Sequence, residues 1–294
     1  MLNKIICVSL NVLVILETST PQNISLIRDI ELVNLSEELF NKSSYELFKH
    51  LTIKYQGQTN SKNFTDVAPE RLLYISPRIP WTVTTKSFMK LLDNYELDTY
   101  KPEIITKEKE LEENEFISNL IKADVILHVM NFLSLKGFFK NDLETYKNTL
   151  KEIWFHLYSR SKGINGSSGF EHVFIGERKP RKGITGLHNW ISFSSGESLN
   201  AINYFGFSRN MEFVDQMAIL ETYFTYNKKR KMSTIFIGTT PELEIALYTL
   251  CFFTRPNKRC NVSFTKEKFS IQTYVLQNNE TRSVASAFPV IGKR

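Results

Sequence analysis

The hydrophobic pattern of this 294-residue chain changes once, near residue 160, and that change limits the folds available to it. Before it, apolar residues recur at spacings of three and four, as in Glu112–Leu135 and Leu143–Tyr158, which is typical of amphipathic helices. After it, short apolar runs separated by turn residues predict strands. We therefore expect an α+β chain with a mainly helical region over 25–160 and a two-lobed, antiparallel-sheet region over 161–294.

The second region contains several predicted strands and one helix with clear boundaries. The helix is predicted to begin after Thr240 as N-cap, with Pro241 at its first position, and to end before Arg255 and Pro256. The predicted strands are Phe170–Ile175, His188–Phe193, Asn203–Phe207, Ala218–Tyr226, Ser233–Ile237 and Phe269–Leu276.

An apolar run at the N-terminus has the composition of a secretory signal peptide. Lys4 precedes the run Ile5–Leu16, and the polar segment Glu17–Pro21 follows it. This run would rise only about 18 Å as a helix, which is short of the ~30 Å hydrocarbon core of a bilayer. We therefore expect residues 1–20 to be a cleaved signal and the protein to be secreted; a retained signal-anchor is the alternative.

Secretion would give meaning to two further features. Cys251 and Cys260 remain as a pair once Cys7 leaves with the signal, so one disulfide is expected in an oxidising compartment. Two cysteines supply too few ligands for a zinc site, and no histidine cluster completes them. Sequons for N-glycosylation predict a glycoprotein, and they lie at Asn23, Asn34, Asn41, Asn63, Asn165, Asn261 and Asn279.

Two histidines, His172 and His188, lie in predicted strands that a basic turn joins. If that turn is centred on Pro180, the two residues are directly opposed on antiparallel strands. Directly opposed side chains have Cβ atoms about 4.5–5.5 Å apart on one face, so the imidazoles would converge. A zinc site on this pair and a purely structural pair are alternatives that the pattern leaves open.

Two adjacent imidazoles suit the cleavage of RNA by its own 2′-hydroxyl. That reaction needs a base for the hydroxyl proton and an acid for the leaving 5′-oxygen, and histidine serves in either form near neutral pH. A cation would stabilise the charge that develops on the phosphorane-like transition state. Two basic runs supply candidates, Arg178–Lys182 and Lys228–Lys231, and the net charge of +6 permits an anionic partner.

Several segments resemble the signature of the EndoU family of uridylate-preferring endoribonucleases, of the secreted, placental-protein type. They are Ser167–Glu177, Gly186–Ile191, Phe236–Phe252, Thr254–Pro256 with Cys260, Ile271–Tyr274 and, in the first half, Leu91–Tyr95 and Ile153–Arg160. The resemblance spans about residues 30–290, so it implies a single domain of this type. It also implies a metal-stimulated enzyme, activated by Mn²⁺ or Ca²⁺, that cuts single-stranded RNA at uridines and leaves 2′,3′-cyclic phosphate ends.

The resemblance also assigns roles to residues of this chain. It implies that His172 is the general acid and His188 the general base. It implies that Glu171 and Glu177 support them by orienting the histidines or by binding metal. The family's catalytic lysine aligns with Arg230, but a deletion of one residue would make Lys231 the match, and we favour Lys231.

Uridine selection requires hydrogen bonds to the base and a surface on which the base stacks. Ser233 or Thr234 would supply a hydroxyl. Tyr274 resembles a family position that stacks on the sugar or base, and Ser286 resembles one that supplies another active-site hydroxyl. We therefore expect an endoribonuclease. Because the lysine is displaced, the alternative is a non-catalytic secreted glycoprotein that binds RNA or another polyanion. A serine protease is disfavoured, since the chain has no Gly-x-Ser-x-Gly motif.

Overall fold

A computed structural model describes residues 26–43, 46–161, 163–179, 183–213, 215–278 and 281–292. The signal peptide expected at residues 1–20 lies outside this part of the chain, as do Asn23 and Asn279. Within it, no single helix is long and apolar enough to cross a membrane. The helices Lys107–Leu120 and Asp124–Leu135 reach the necessary length and composition only as a pair that is bent by 78°.

Helices dominate the first half of the chain, as the periodicity predicts. The long apolar stretch over Glu112–Leu135 is not one helix, because a turn at 121–123 separates two helices. Leu120 and Val125 on either side of the turn are both buried, so the bend keeps both apolar faces on the core. The helices are α1 (Asp29–Lys42), α2 (Val83–Lys90), α3 (Lys107–Leu120), α4 (Asp124–Leu135), α5 (Leu143–Phe155), α6 (Trp190–Ser198) and α7 (Pro241–Thr254).

The strands form antiparallel hairpins and sheets. Two three-stranded sheets, formed by the strands between Ile202 and Ile237 and by those between Arg259 and Val290, are the two lobes. They meet where the strand Lys229–Ile237 contacts the strand Thr281–Val290. The α+β class with two antiparallel lobes is therefore confirmed. The strands are β1 (Leu51–Ile53), β2 (Leu73–Ile75), β3 (Tyr158–Ser161), β4 (Ile164–Ser167), β5 (Glu177–Lys179), β6 (Gly183–Thr185), β7 (Ile202–Phe213), β8 (Met217–Tyr226), β9 (Lys229–Ile237), β10 (Arg259–Phe264), β11 (Glu267–Asn278) and β12 (Thr281–Val290).

Helix α7 lies in the hydrophobic core and links the two halves of the chain. It begins as predicted, since the Thr240 hydroxyl accepts a hydrogen bond from the Leu243 N–H and Pro241 is the first helical residue. The helix packs against α4, α1 and α2 of the first half and against β11 of the second. Its Cys251 forms the expected disulfide with Cys260 of β10.

Two predicted strands were wrong. Residues Glu171–Ile175 form a short π-helical turn, closed by a 2.7 Å hydrogen bond from the Gly176 N–H to the Glu171 carbonyl. The segment after His188 enters α6, with the Asn189 side chain accepting hydrogen bonds from the first turn. Both runs are buried on all sides, and an apolar run without alternation does not distinguish a strand from a buried helix.

The hairpin between the histidines is shorter than predicted and differently centred. It pairs β5 with β6, with Glu177 opposite Thr185 and Lys179 opposite Gly183. The predicted register would have paired Glu177 with Gly183 instead, and neither histidine belongs to the hairpin. The predicted direct opposition of His172 and His188 on two strands was wrong.

Candidate active site

The two histidines nevertheless lie side by side. The backbones that hold them are joined by hydrogen bonds from the Leu187 N–H to the His172 carbonyl (3.0 Å) and from the His188 N–H to the Val173 carbonyl (2.7 Å). The centroids of the two imidazole rings are 6.4 Å apart. The π-helical turn thus brings His172 to the segment that leads into α6.

Gly186 allows these two segments to approach. A Cβ at this position would lie 1.8 Å from the His172 carbonyl oxygen, which no side chain permits. Its φ of +75° is also a conformation that other residues rarely adopt. A glycine is therefore required here for the histidine pair to form.

His172 is supported by a buried carboxylate. Its Nδ1 lies 2.9 Å from Glu177 Oε2, and the same carboxylate accepts hydrogen bonds from Arg160 Nε at 2.9 Å and from the Ser167 hydroxyl. Burial raises the pKa of Glu177, but its hydrogen bonds and the charges of His172 and Arg160 hold it below the usual value. Burial lowers the pKa of His172, the Glu177 hydrogen bond opposes this, and the Arg160 charge adds to it.

The partners of His188 fix where its proton lies. The Ser233 hydroxyl donates to the Leu187 carbonyl and lies 2.8 Å from His188 Nδ1, and the Thr234 carbonyl lies 3.2 Å from the same nitrogen. Because both partners then act as acceptors, Nδ1 carries the hydrogen and Nε2 carries a free lone pair. Burial, together with the charge of Lys231, lowers the pKa of His188 well below 6.5, so the ring is neutral at neutral pH.

Lys231 faces the histidines and Arg230 does not. Side chains alternate along a strand, so Lys231 shares a face of β9 with Ser233, and its charge acts on both rings. Burial lowers the pKa of Lys231 to about 8. Arg230 lies on the opposite face, with its guanidinium 5.0 Å from the centroid of the Phe64 ring. The structure therefore separates the two residues between which the sequence could not decide.

Glu171 is placed beside the site without taking part in its hydrogen bonds. The side chain is fully buried, and neither carboxylate oxygen has a partner among the described residues. Burial, with the nearby charge of Glu177, raises the pKa of Glu171 to about 10, so it is protonated at neutral pH. A neutral carboxyl does not orient the histidines through a charge.

Strand β12 and its neighbour β11 form one wall of the site. The Phe288 ring stacks on the His188 ring with centroids 4.8 Å apart. The centroid of the Tyr274 ring lies 6.4 Å from that of the Phe288 ring. Tyr274 pairs with Ser286, so these residues and Phe288 share a face. Thr234, by contrast, directs its side chain to the opposite face of β9 from Ser233, and its carbonyl rather than its hydroxyl contacts His188.

The same strand β12 anchors the arginine that supports His172. The Tyr158 hydroxyl donates to the Val284 carbonyl at 2.8 Å, and Arg160 Nη2 donates to the Ala285 carbonyl. Arg160, Ser167 and Phe288 were not predicted as site residues. Arg160 and Ser167 stand in segments that carry the family resemblance, and Phe288 is two residues from Ser286, but a sequence does not show which distant side chains they touch.

Metal-ligating side chains are not grouped in the described part of the chain. No set of three or more histidine, cysteine, aspartate or glutamate residues there is arranged to hold an ion. The donor set therefore does not fit a resident Mn²⁺ or Ca²⁺, and no chemical step below involves one.

These side chains define a class of protein. A neutral imidazole with a free Nε2, a second imidazole bound to a carboxylate, and a cationic side chain on the same face are the parts of an acid–base site for phosphodiester cleavage. A protein-family model described as Endoribonuclease XendoU matches residues 31–289. The chain therefore belongs to the XendoU endoribonuclease family.

Individual relatives are similar over nearly the whole chain. Uridylate-specific endoribonuclease C of Xenopus laevis is 34% identical over 276 residues, which cover 89% of each protein. Uridylate-specific endoribonuclease B of Danio rerio is 33% identical over 275 residues, covering 89% of this chain and 96% of the relative. The solved structure of XendoU, described as a splicing independent snoRNA processing endoribonuclease, superimposes with a TM-score of 0.73 at 28% identity, covering 92% of this chain and 99% of that one.

Proposed function

We propose that this protein is an endoribonuclease that cleaves single-stranded RNA at uridines and leaves 2′,3′-cyclic phosphate ends. The observation that supports this most is the convergence of His172, His188 and Lys231, with the two imidazoles in different electrostatic surroundings. Membership of an endoribonuclease family, with relatives named as uridylate-specific, supports the reaction and the base preference.

His188 is the general base. Its Nε2 lone pair accepts the proton of the uridine 2′-hydroxyl as that oxygen attacks the phosphorus. Ser233 and the Thr234 carbonyl hold the ring through Nδ1 and stabilise the imidazolium that forms. Ser233 is therefore a positioning residue rather than a contact to the uracil, because its hydroxyl is engaged by His188 and Leu187.

His172 is the general acid. Its Nε2–H gives a proton to the 5′-oxygen as the bond from phosphorus to that oxygen breaks, while Glu177 accepts from Nδ1–H. The buried carboxylate favours the protonated ring that this role requires. Lys231 stabilises the negative charge that develops on the phosphoryl oxygens, and with a pKa of about 8 it is mostly charged at pH 7.

The wall formed by Phe288 and Tyr274 is the surface for the uridine. Phe288 already stacks on the base histidine, so a nucleoside whose 2′-hydroxyl reaches His188 lies next to these rings. Tyr274 is 47% exposed and is available for stacking on a splayed base or sugar. Ser286, its cross-strand partner, presents a hydroxyl on the same face for a hydrogen bond.

The test compares oligo(U) with oligo(A) as substrates of the purified protein. We expect cleavage only of oligo(U), with cyclic phosphate ends identified by mass spectrometry. His172→Ala and His188→Ala should abolish it, whereas Arg230→Ala, which removes a charge from the opposite face of β9, should leave it within a few-fold of wild type. Absence of uridine-dependent cleavage, or full activity of His188→Ala, would overturn the proposal.

The alternative of a non-catalytic RNA or polyanion binder is motivated by the displaced lysine and by the basic runs. The electrostatic effect of Lys231 on both imidazoles argues against the first of these motives. A pure binder would show salt-sensitive RNA binding without product, and the oligo(U) assay distinguishes the two.

Stimulation by Mn²⁺ or Ca²⁺ stays a prediction from the family resemblance. It is measured by dialysing the protein against a chelator and assaying oligo(U) cleavage with and without each ion. Equal rates in all samples would contradict it.

We also propose that the protein is a secreted glycoprotein. The Cys251–Cys260 disulfide is consistent with an oxidising compartment. Among the described residues the sequon asparagines are all exposed, and these are Asn34, Asn41, Asn63, Asn165 and Asn261. Recovery from the medium and a mass decrease after removal of N-glycans would support this, and retention as an unmodified intracellular chain would refute it.

A further inference from the structure

Strand β9 extends the catalytic face beyond Lys231. Side chains at alternate positions of a strand share a face, so Lys229 points to the same side as Lys231 and Ser233, the residue that holds His188. Lys231 is half-buried, whereas Lys229 is exposed. Lys229 is thus a second cation on the face of β9 that carries Lys231, at the beginning of the strand.

The stem of Lys229 is supported by strand β6. A Cβ placed on Gly183 would lie 2.8 Å from the Lys229 Cβ, so the absence of a side chain at Gly183 lets the lysine stem pass close to the backbone. Gly183 has a φ of +80°, and its cross-strand partner Lys179 shares a face of β5 with Glu177. The hairpin that supplies the carboxylate for His172 therefore also lies beside Lys229.

The spacing matches that of an RNA backbone. Two residues along a strand advance about 6.6–6.8 Å, which is comparable to the separation of successive phosphates on an extended single strand. If Lys231 contacts the scissile phosphate, Lys229 is one phosphate away. No base contact is needed for this, because phosphate contacts are independent of sequence.

The order of residues along β9 gives the direction of the RNA. Ser233 and Thr234 hold His188, which takes the proton of the 2′-hydroxyl on the 5′ side of the scissile bond. Lys229 lies on the other side of Lys231, toward the leaving nucleotide. We propose that Lys229 is a subsite for the phosphate on the 3′ side of the leaving nucleotide, an inference that rests on the proposed function.

The test compares UpA with UpAp, which differ only by that 3′ phosphate. Wild-type protein should have a higher kcat/KM for UpAp, by about two- to fivefold, as expected for an exposed charge pair. Lys229→Ala should remove this preference, while its kcat/KM for UpA stays within about twofold of wild type, and Lys229→Arg should retain it. Arg230→Ala is the matched control, since it removes a charge from the same strand on the opposite face, and it should keep the preference.

An unchanged ratio of UpAp to UpA in Lys229→Ala would overturn the subsite while leaving the proposed function intact. Failure of the wild-type protein to cleave either compound would overturn the proposed function and the subsite with it. Binding supplies a second measurement, using an oligonucleotide in which 2′-deoxyuridine prevents cleavage. The slope of log K against log salt should be about 0.7 less steep for Lys229→Ala, as expected when one single-strand phosphate contact is lost, and an identical slope would contradict the inference.

Discussion

Replacing Glu177 by glutamine should move the alkaline limb of the pH–rate profile to lower pH. Glutamine has the shape of glutamate but no charge, and Glu177 is the carboxylate that raises the pKa of His172. Its loss leaves the Arg160 charge, which lowers that pKa, without a counterion. Both effects have the same sign, so the acid His172 should lose its proton at a lower pH in the variant.

The size of this shift follows from the geometry. A buried hydrogen bond of 2.9 Å to a charged group contributes about 1.5–3 kcal/mol, and 1.36 kcal/mol corresponds to one pKa unit. The pKa of His172 should therefore fall by about 1–2 units. At pH 7, above the pKa in both proteins, each unit reduces the protonated fraction tenfold, so kcat/KM should decrease by about 10- to 100-fold.

The assay is kcat/KM for a uridine-containing dinucleotide, measured across the acid and neutral range. On the acid side activity rises as His188 loses its proton, and on the alkaline side activity falls as His172 loses its proton. The pKa values of both histidines lie below the ordinary value of 6.5. Ser167→Ala, which removes one hydrogen bond to Glu177 but keeps the charge, is the control and should shift the limb far less. An alkaline limb at the same pH in Glu177→Gln and wild type would refute this account of the acid.

Three further changes have expected outcomes. Lys231→Met should abolish cleavage yet raise the midpoint of thermal unfolding by about 2–4 °C. Burial lowers the pKa of Lys231 to about 8, which means that a charge at this position destabilises the folded protein. A lower midpoint in the variant would contradict this. Gly186→Ala should reduce kcat/KM by about 100-fold or more, since its Cβ would collide with the His172 carbonyl, and near-normal activity would show that the turn relaxes. Removing the disulfide with Cys251→Ala and Cys260→Ala should lower the free energy of unfolding in urea by about 2–3 kcal/mol, and an unchanged urea midpoint would argue against this.

Local signals were sufficient for some elements. Helix α7 was predictable because Thr240 and Pro241 determine its start within a few residues. The central strands β8 and β11 were found from their composition, although the structure extends β11 to Glu267–Asn278. The segments around the histidines were not predictable, because a fully buried run has no polar face to reveal its period.

The site was predicted as residue types but not as contacts. The strand and turn pattern singles out His172 and His188, the family resemblance adds their roles and the lysine, and the faces of Lys231 and Arg230 follow only from the register of β9. Arg160 and Phe288 reach the histidines from distant parts of the chain, so no local pattern indicates them. Their positions follow from packing of the two lobes rather than from the sequence near the histidines.

Strand β12 determines at what stage of synthesis and folding the ribonuclease site can form. The Val284 and Ala285 carbonyls of β12 accept hydrogen bonds from Tyr158 and from Arg160, the arginine that supports the general acid. The Phe288 ring of β12 stacks on the general base. A growing polypeptide that already contains both histidines, but not yet this strand, has neither support. Both histidines therefore reach their active arrangement only after β12 has been synthesised and has packed against them.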